Sequence, residues 1–292
     1  MASGTAQNGA KLRSMLDERR AVLAPGAANA LTARIIADLG FEVVYVTGAG
    51  IANTRLGVPD IGLVTLSELA DTVASIAEIC TLPLVVDADT GFGNPVNMVR
   101  TVRMLERAGA NAIQIEDQVF PKRCGHFSGQ EVIPAEEMMA KVKAAADARS
   151  TRDFLLIART DARSTHGLQA ALARANAYVA AGADATFVEA PTTRDELEIV
   201  TRSLRVPQVA NMVIGGKTPV LPHAELATMG FGLVLYANAA LQAAVKAMQE
   251  VLGALKADGG IERVADRLAS FEERQRVVAK ANWDALERRY KI

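Results

Sequence analysis

Residues 82–110 read "LPLVVDADTGFGNPVNMVRTVRMLERAGA", and this stretch decides the fold. It opens as a short aliphatic run and then breaks abruptly into acids and glycines. It continues with Val99, Val102, Met104 and Leu105 at helical spacing. The closing "AGA" supplies the glycine that a helix end takes in left-handed conformation. Strand, polar strand end and helix make one β/α unit. Seven further runs share this form: "AVLAPGA" (21–27), "EVVYVTGAG" (42–50), "AIQIEDQ" (112–118), "FLLIARTDA" (154–162), "ATFVEAP" (185–191), "PQVANMV" (207–213) and "GLVLYAN" (232–238). Continuous aliphatic strands alternating with helices imply a parallel sheet covered on both faces. Eight such units across residues 21–257 fit a closed (β/α)8 barrel, which typically takes about 250 residues. An open doubly wound sheet is the runner-up, but no GxGxxG opens the first helix.

Composition agrees with one large domain. Half of the 292 residues are hydrophobic and only 4% aromatic, so the core must come from Ala, Val, Leu and Ile. The charge is balanced, 32 basic against 33 acidic side chains, which favours neither nucleic acid nor a membrane surface as partner. Two cysteines in such a chain suggest a reducing compartment, and Cys80 in "IAEICTLPL" reads as a buried small hydrophobe. "MASGTAQNGAKLRSMLDERR" lacks the apolar core of a signal peptide, and no window is apolar enough to span a bilayer. The expected location is the cytoplasm. Residues 1–20 read as an N-terminal tail and first helix. Residues 258–292 read as a helical extension, either a barrel cap or a contact with another subunit.

In seven runs the polar residues and glycines gather at the C-terminal end of the strand, the face on which barrel enzymes build their sites. Charges buried there without partners would cost several kcal/mol each, so they must neutralise one another, a metal or a substrate. Asp60, Asp87, Asp89 and Glu116 form the acidic set, with Asp117 beside it. Asp87 and Asp89, two apart, are expected on one strand face. Any one of these acids alone would serve as a helix cap or a partner of Arg159. Four carboxylates at one mouth without a histidine cluster instead suit a hard cation, Mg2+, and Mn2+ fits on the same grounds. The glycines of "VTGAG" allow close backbone approach, and successive N–H groups there form an anion-binding concavity or simply a barrel turn. Arg159 offers a fork for a substrate carboxylate or a salt bridge to Glu189. Asn211 and Asn238 offer neutral hydrogen bonds. His166 and His223 look structural.

"PKRCGH" (121–126) places one of the two cysteines and one of the three histidines beside two cations. Such surroundings favour a thiolate and proton transfer, although a surface loop would explain the hexapeptide by itself.

Taken in order, "VVDADTGFGN", "IEDQVFPKRCGH", "LIARTDA" and "ANMVIGGKTP" resemble the isocitrate lyase and phosphoenolpyruvate mutase superfamily, from about Leu23 to about Val251. Within it, the chain is most similar to the branch of methylisocitrate lyase, dimethylmalate lyase, oxaloacetate hydrolase and carboxyphosphonoenolpyruvate mutase. The resemblance implies an α/β barrel, usually a homotetramer that exchanges its last helix between subunits. It implies Mg2+ bound by Asp87, with Asp60, Asp89 and Glu116 reaching it through water. It gives the substrate carboxylate and oxygen to Thr47, Gly48, Ala49 and Arg159. Gly125, His126 and Asn211 would line the far side, Lys122 would draw the anion, and Glu189 would steady Arg159 or His126. Cys124 would be the acid that protonates the carbanion, on a loop that closes over the substrate. The base is Tyr45, Asp60 or hydroxide on the metal.

The expected reaction is Mg2+-dependent cleavage of a C–C bond in a 2-hydroxydicarboxylate, an alkylmalate or methylisocitrate, to an α-keto acid and a carboxylic acid. Oxaloacetate hydrolysis or decarboxylation and phosphonomutation are the alternatives within the same superfamily. Residues 213–216, "VIGG", differ from the Thr-Glu-Phe-Gly type sequence of methylisocitrate lyases, and "YANAA" differs from the commoner Tyr-Pro form. Both departures point away from a tricarboxylate.

Overall fold

A computed structural model describes residues 2–123 and 129–291. Its eight strands are β1 (Val22–Ala27), β2 (Val44–Val46), β3 (Leu84–Asp87), β4 (Ala112–Glu116), β5 (Leu155–Thr160), β6 (Ala185–Val188), β7 (Val209–Asn211) and β8 (Leu233–Tyr236). Each falls inside one of the eight runs. All pairings are parallel, in the order β6-β5-β4-β3-β2-β1-β8-β7. A single parallel bridge, Thr186 to Gln208, joins β6 to β7 and closes the ring. The result is a (β/α)8 barrel.

The helices are α1 (Ala2–Asp17), α2 (Ala30–Asp38), the short α3 (Gly48–Ile51), α4 (Leu66–Ile79), α5 (Pro95–Ala108), α6 (Ala135–Ala148), α7 (Ala162–His166) and α8 (Leu168–Ala181). They continue as α9 (Arg194–Ser203), α10 (His223–Met229), α11 (Ala239–Asp258), α12 (Phe271–Val277) and α13 (Lys280–Tyr290). The helix in the opening stretch shows the local causes. Asn94 caps α5 by accepting from the Val96 and Asn97 N–H groups, a contact worth about 1 kcal/mol. Pro95 occupies the first turn, where its missing N–H costs nothing. Gly109, at φ 106°, ends the helix in a conformation that a side chain would strain. Met98, Val102 and Leu105 are fully buried, and truncating one to Ala should cost about 2–5 kcal/mol.

Strand alternation divides the core into two layers. Tyr45, Val85, Ala112, Leu155, Ile157, Phe187, Val209, Leu233 and Leu235 point into the barrel, where Leu12, Met15 and Leu16 of α1 pack against the same cluster. Val44, Val46, Leu84, Val86, Ile113, Ile115 and Leu156 point outward against the helices. The interior is therefore filled by side chains, and room for a ligand remains only past the last aliphatic layer.

The C-terminal helices lie differently. On α11 only Ala254 is buried, while Val245, Met248, Leu252 and Leu255 form an exposed apolar stripe. No helix of the described residues is long and apolar enough to cross a membrane.

Candidate active site

Continuing the inward parity of each strand by one step generates the site. Tyr45 is followed by Thr47, Val85 by Asp87, Gln114 by Glu116, Ile157 by Arg159, Phe187 by Glu189, Val209 by Asn211 and Leu235 by Ala237. One cavity at the C-terminal mouth is lined by this second set, together with Asp60, Lys122, Val213 and Asn238. The residues that interrupt the aliphatic pattern thus meet because β-strands alternate, not because they are close in sequence.

Arg159 lies near the centre of the polar layer. Its Nε and NH2 donate to the two oxygens of Asp161 at 2.9 and 2.8 Å, while NH1 lies 3.2 Å from Glu189 and Nε 3.3 Å from Glu116. The guanidinium stands over the Phe187 ring, 5.2 Å from its centroid. Burial would lower its pKa, but Asp161, Glu116 and Glu189 outweigh that effect and keep it charged. The salt bridge to Glu189 and a position facing the cavity therefore coexist. Glu189 in turn takes hydrogen bonds from the Ala190 N–H at 2.9 Å and from Asn211 Nδ2 at 3.4 Å. Asp161 is the partner that sequence reasoning missed, and its only signal was the i, i+2 spacing in "RTD". Asp117, by contrast, points out of the barrel. It accepts from Thr160 Oγ1, Tyr178 Oη and the Asp161 N–H at 2.7, 2.7 and 2.9 Å, and so anchors the segment carrying Arg159 and Asp161.

The second cluster surrounds Lys122. Its Nζ lies 2.5 Å from Asp60 Oδ1 and 2.8 Å from Asp89 Oδ1, with the side chain buried. Burial works to lower this ammonium, but Asp89, Glu116, Asp87 and Asp60 hold its pKa well above the ordinary range. Burial pushes Asp89 up to about 6 despite Lys122, and pushes Glu116 well up despite Arg159. Contrary to the expectation from their i, i+2 spacing, Asp87 and Asp89 do not share a strand face. β3 ends at Asp87, and Asp89 sits beyond it at φ 47°, its N–H donating to Asp87 Oδ1 at 3.2 Å. The turn, rather than the pleat, brings the two carboxylates together.

Thr47 caps the short helix α3, accepting from the Gly50 N–H at 3.2 Å, so Gly48 and Ala49 face the mouth. Tyr45 is fully buried beneath, and burial, followed by the charge of Asp87, raises its pKa well above the ordinary range. Val213 lines the cavity, whereas Ile214 is 78% exposed and does not. Cys124, Gly125 and His126 lie outside the described residues. His166 pairs with Thr165, and His223 with the Ala21 carbonyl at 2.9 Å, and neither lines the cavity.

Whether this mouth suits a divalent cation is tested by its atoms. Among the described residues no three acidic, thiol or imidazole side chains are gathered closely enough to hold an ion. The donor set is nevertheless all-oxygen, and the buried Glu116 Oε1 has no hydrogen-bond partner among the described residues. A Cβ on Gly48 would stand 3.3 Å from both Asp87 Oδ2 and Asp89 Oδ1, so the absence of a side chain there leaves a cradle between them. These features fit a hard cation such as Mg2+, with Asp87, Asp89, Glu116 and Asp60 to hold it.

A closed barrel with an arginine, an amide and a carboxylate ring at its C-terminal mouth is the architecture of a barrel enzyme. This chain belongs to the phosphoenolpyruvate phosphomutase family, whose model matches residues 12–256, within the superfamily that includes isocitrate lyase. It is 46% identical to 2,3-dimethylmalate lyase of Eubacterium barkeri over 90% of this chain and 91% of that protein. It is 44% identical to 2-methylisocitrate lyase of Aeropyrum pernix, over 91% of this chain and 85% of the relative. Phosphonopyruvate hydrolase, solved in complex with oxalate and Mg2+, is 36% identical and superposes with a TM-score of 0.87 over 97% of this chain and 99% of the other. The first two of these relatives are lyases, and the chain is an enzyme of that superfamily.

Proposed function

We propose that this enzyme is a Mg2+-dependent carbon–carbon lyase that cleaves an alkyl-substituted malate to an α-keto acid and a carboxylic acid. The observation that carries the reading is one cavity with both charged and apolar lining. Asp60, Asp87, Glu116, Lys122 and Arg159 line it, and so do Val213, Leu235 and Ala237. The charged groups suit a 2-hydroxy acid, and the apolar ones suit an alkyl substituent, at about 0.8 kcal/mol per buried CH2.

A bound divalent cation would supply Lewis acidity, lowering the pKa of the substrate hydroxyl and holding the oxygen of the nascent keto group. The chain does the rest. Arg159, held in place by Asp161 and Glu189, orients a substrate carboxylate. The N–H groups of Gly48 and Ala49 and the amide of Asn211 complete the polar contacts. Once Asp60, the base in this reading, has taken the 2-hydroxyl proton, the C2–C3 bond breaks and its electron pair moves onto C3 of the departing carboxylate fragment. The Cys124 thiol then protonates C3 of that fragment, the role that the family resemblance implies for it. Tyr45, which keeps its proton, serves Asp87 as a neighbour rather than as the base.

Residues 21–257 form the catalytic unit in this reading, and 258–292 serve assembly. We infer a homotetramer, supported by the uncovered stripe on α11 and by Leu31 and Ile35 of α2 with Leu39 just past its end, all exposed. A cytoplasmic location agrees with the low cysteine use. The decisive assay couples pyruvate release to lactate dehydrogenase across 2,3-dimethylmalate, citramalate and 2-methylisocitrate, and follows oxaloacetate separately by the release of oxalate and acetate. Turnover of none of the 2-hydroxy acids, with hydrolysis of oxaloacetate instead, would replace the lyase reading.

A further inference from the structure

The acid cluster already holds a cation of its own. Lys122 Nζ lies 2.5 Å from Asp60 and 2.8 Å from Asp89, and the residue is only 3% exposed. Arg159, the other buried cation nearby, is committed to Asp161, Glu116 and Glu189. Lys122 is therefore the neutralising charge for Asp60 and Asp89. The oxygen of Asp89 that faces the ammonium is Oδ1, and the same atom borders the cradle at Gly48.

We propose that the Lys122 ammonium and a divalent cation are alternative occupants of the Asp60, Asp87, Asp89 and Glu116 cluster, so that metal enters only when Lys122 leaves. The inference rests on the reading of these acids as the metal site. Two positive charges competing for one carboxylate oxygen repel each other, and a buried cluster without either cation would leave several charges unpaired. Lysine thus stabilises the metal-free protein and lowers the apparent metal affinity by the fraction of time it stays bound. A lysine-bound state holding about nine-tenths of the molecules weakens apparent affinity about tenfold. On release, the same ammonium becomes available to the substrate anion, so one residue serves the site in both states.

Metal-free wild-type protein and Lys122→Met, which keeps the apolar stem and removes the charge, are titrated with Mn2+ and followed by electron paramagnetic resonance. The expected result is binding at least about tenfold tighter in the variant. Equal or weaker binding by the variant overturns this proposal and leaves the metal site standing. Absence of Mn2+ binding in both proteins overturns the metal reading and this proposal with it. A second measurement uses only wild-type protein: amine acetylation with and without Mn2+, read at Lys122 by peptide mass. Lys122 should be protected without metal and become labelled with it. Labelling at Lys122 that does not respond to bound Mn2+ overturns the proposal even if the methionine variant fails to fold.

Discussion

Arg159 and Asp161 form a two-toothed pair across a single intervening residue, with Nε and NH2 at 2.9 and 2.8 Å from the two carboxylate oxygens. The pair fixes the plane of the guanidinium and leaves its remaining edge toward Glu189 and the cavity. Asp161→Asn should raise KM for the substrate about tenfold, the equivalent of one charge-assisted hydrogen bond lost in positioning, with a smaller change in kcat. Steady-state kinetics separates the two parameters, and an unchanged KM would show that Glu116 and Glu189 suffice.

Cys124→Ser should fold and bind Mg2+ normally yet lose at least about a hundredfold in turnover, the usual contribution of a general acid. The thiol stands in "KRCGH", where flanking cations and an imidazole suit proton donation, and a hydroxyl is far too weak an acid to replace it. A serine variant that turns over at near the wild-type rate would remove Cys124 from the chemistry.

Activity should vanish with a chelator and return with Mg2+ or Mn2+, whereas Asp87→Ala should stay inactive at moderate metal concentrations. The reason is the all-oxygen set and the cradle between Asp87 and Asp89 at Gly48. Full turnover in excess EDTA would exclude a required metal.

The enzyme should show a higher kcat/KM for 2,3-dimethylmalate or citramalate than for 2-methylisocitrate and isocitrate. A third carboxylate placed against Val213 and Leu235 would lose solvation without a donor, at a cost of several kcal/mol. Ile214 points to solvent and contributes nothing to this wall in the present structure. Parallel progress curves for the four substrates decide the matter, and 2-methylisocitrate in first place would falsify the preference.

Asp117→Ala should destabilise the fold by about 3 kcal/mol, because it strands buried donors of Thr160, Tyr178 and the Asp161 backbone. Denaturant unfolding measures the loss directly. A change below about 1 kcal/mol would mean that water takes the place of the carboxylate.

The eight strands and the face that carries the chemistry were legible in the sequence by itself. Aliphatic runs ending in polar residues can satisfy burial only in a covered parallel sheet with its charges at one rim. Asp87, Glu116, Arg159, Glu189 and Asn211 were legible as mouth residues for the same reason, each being a polar residue where an aliphatic one would have continued the strand. Which charge meets which was decided only by the tertiary structure. Asp89 joins Asp87 through a left-handed turn that i, i+2 spacing alone does not reveal. Asp161 rather than Glu189 takes the Arg159 fork, because the chain turns just after β5. Lys122 reaches Asp60, 62 residues away, because the parallel pairing of β2, β3 and β4 brings the segments after them to one rim. Coulomb attraction depends on distance through space, and a linear pattern fixes only the direction in which each side chain leaves its strand.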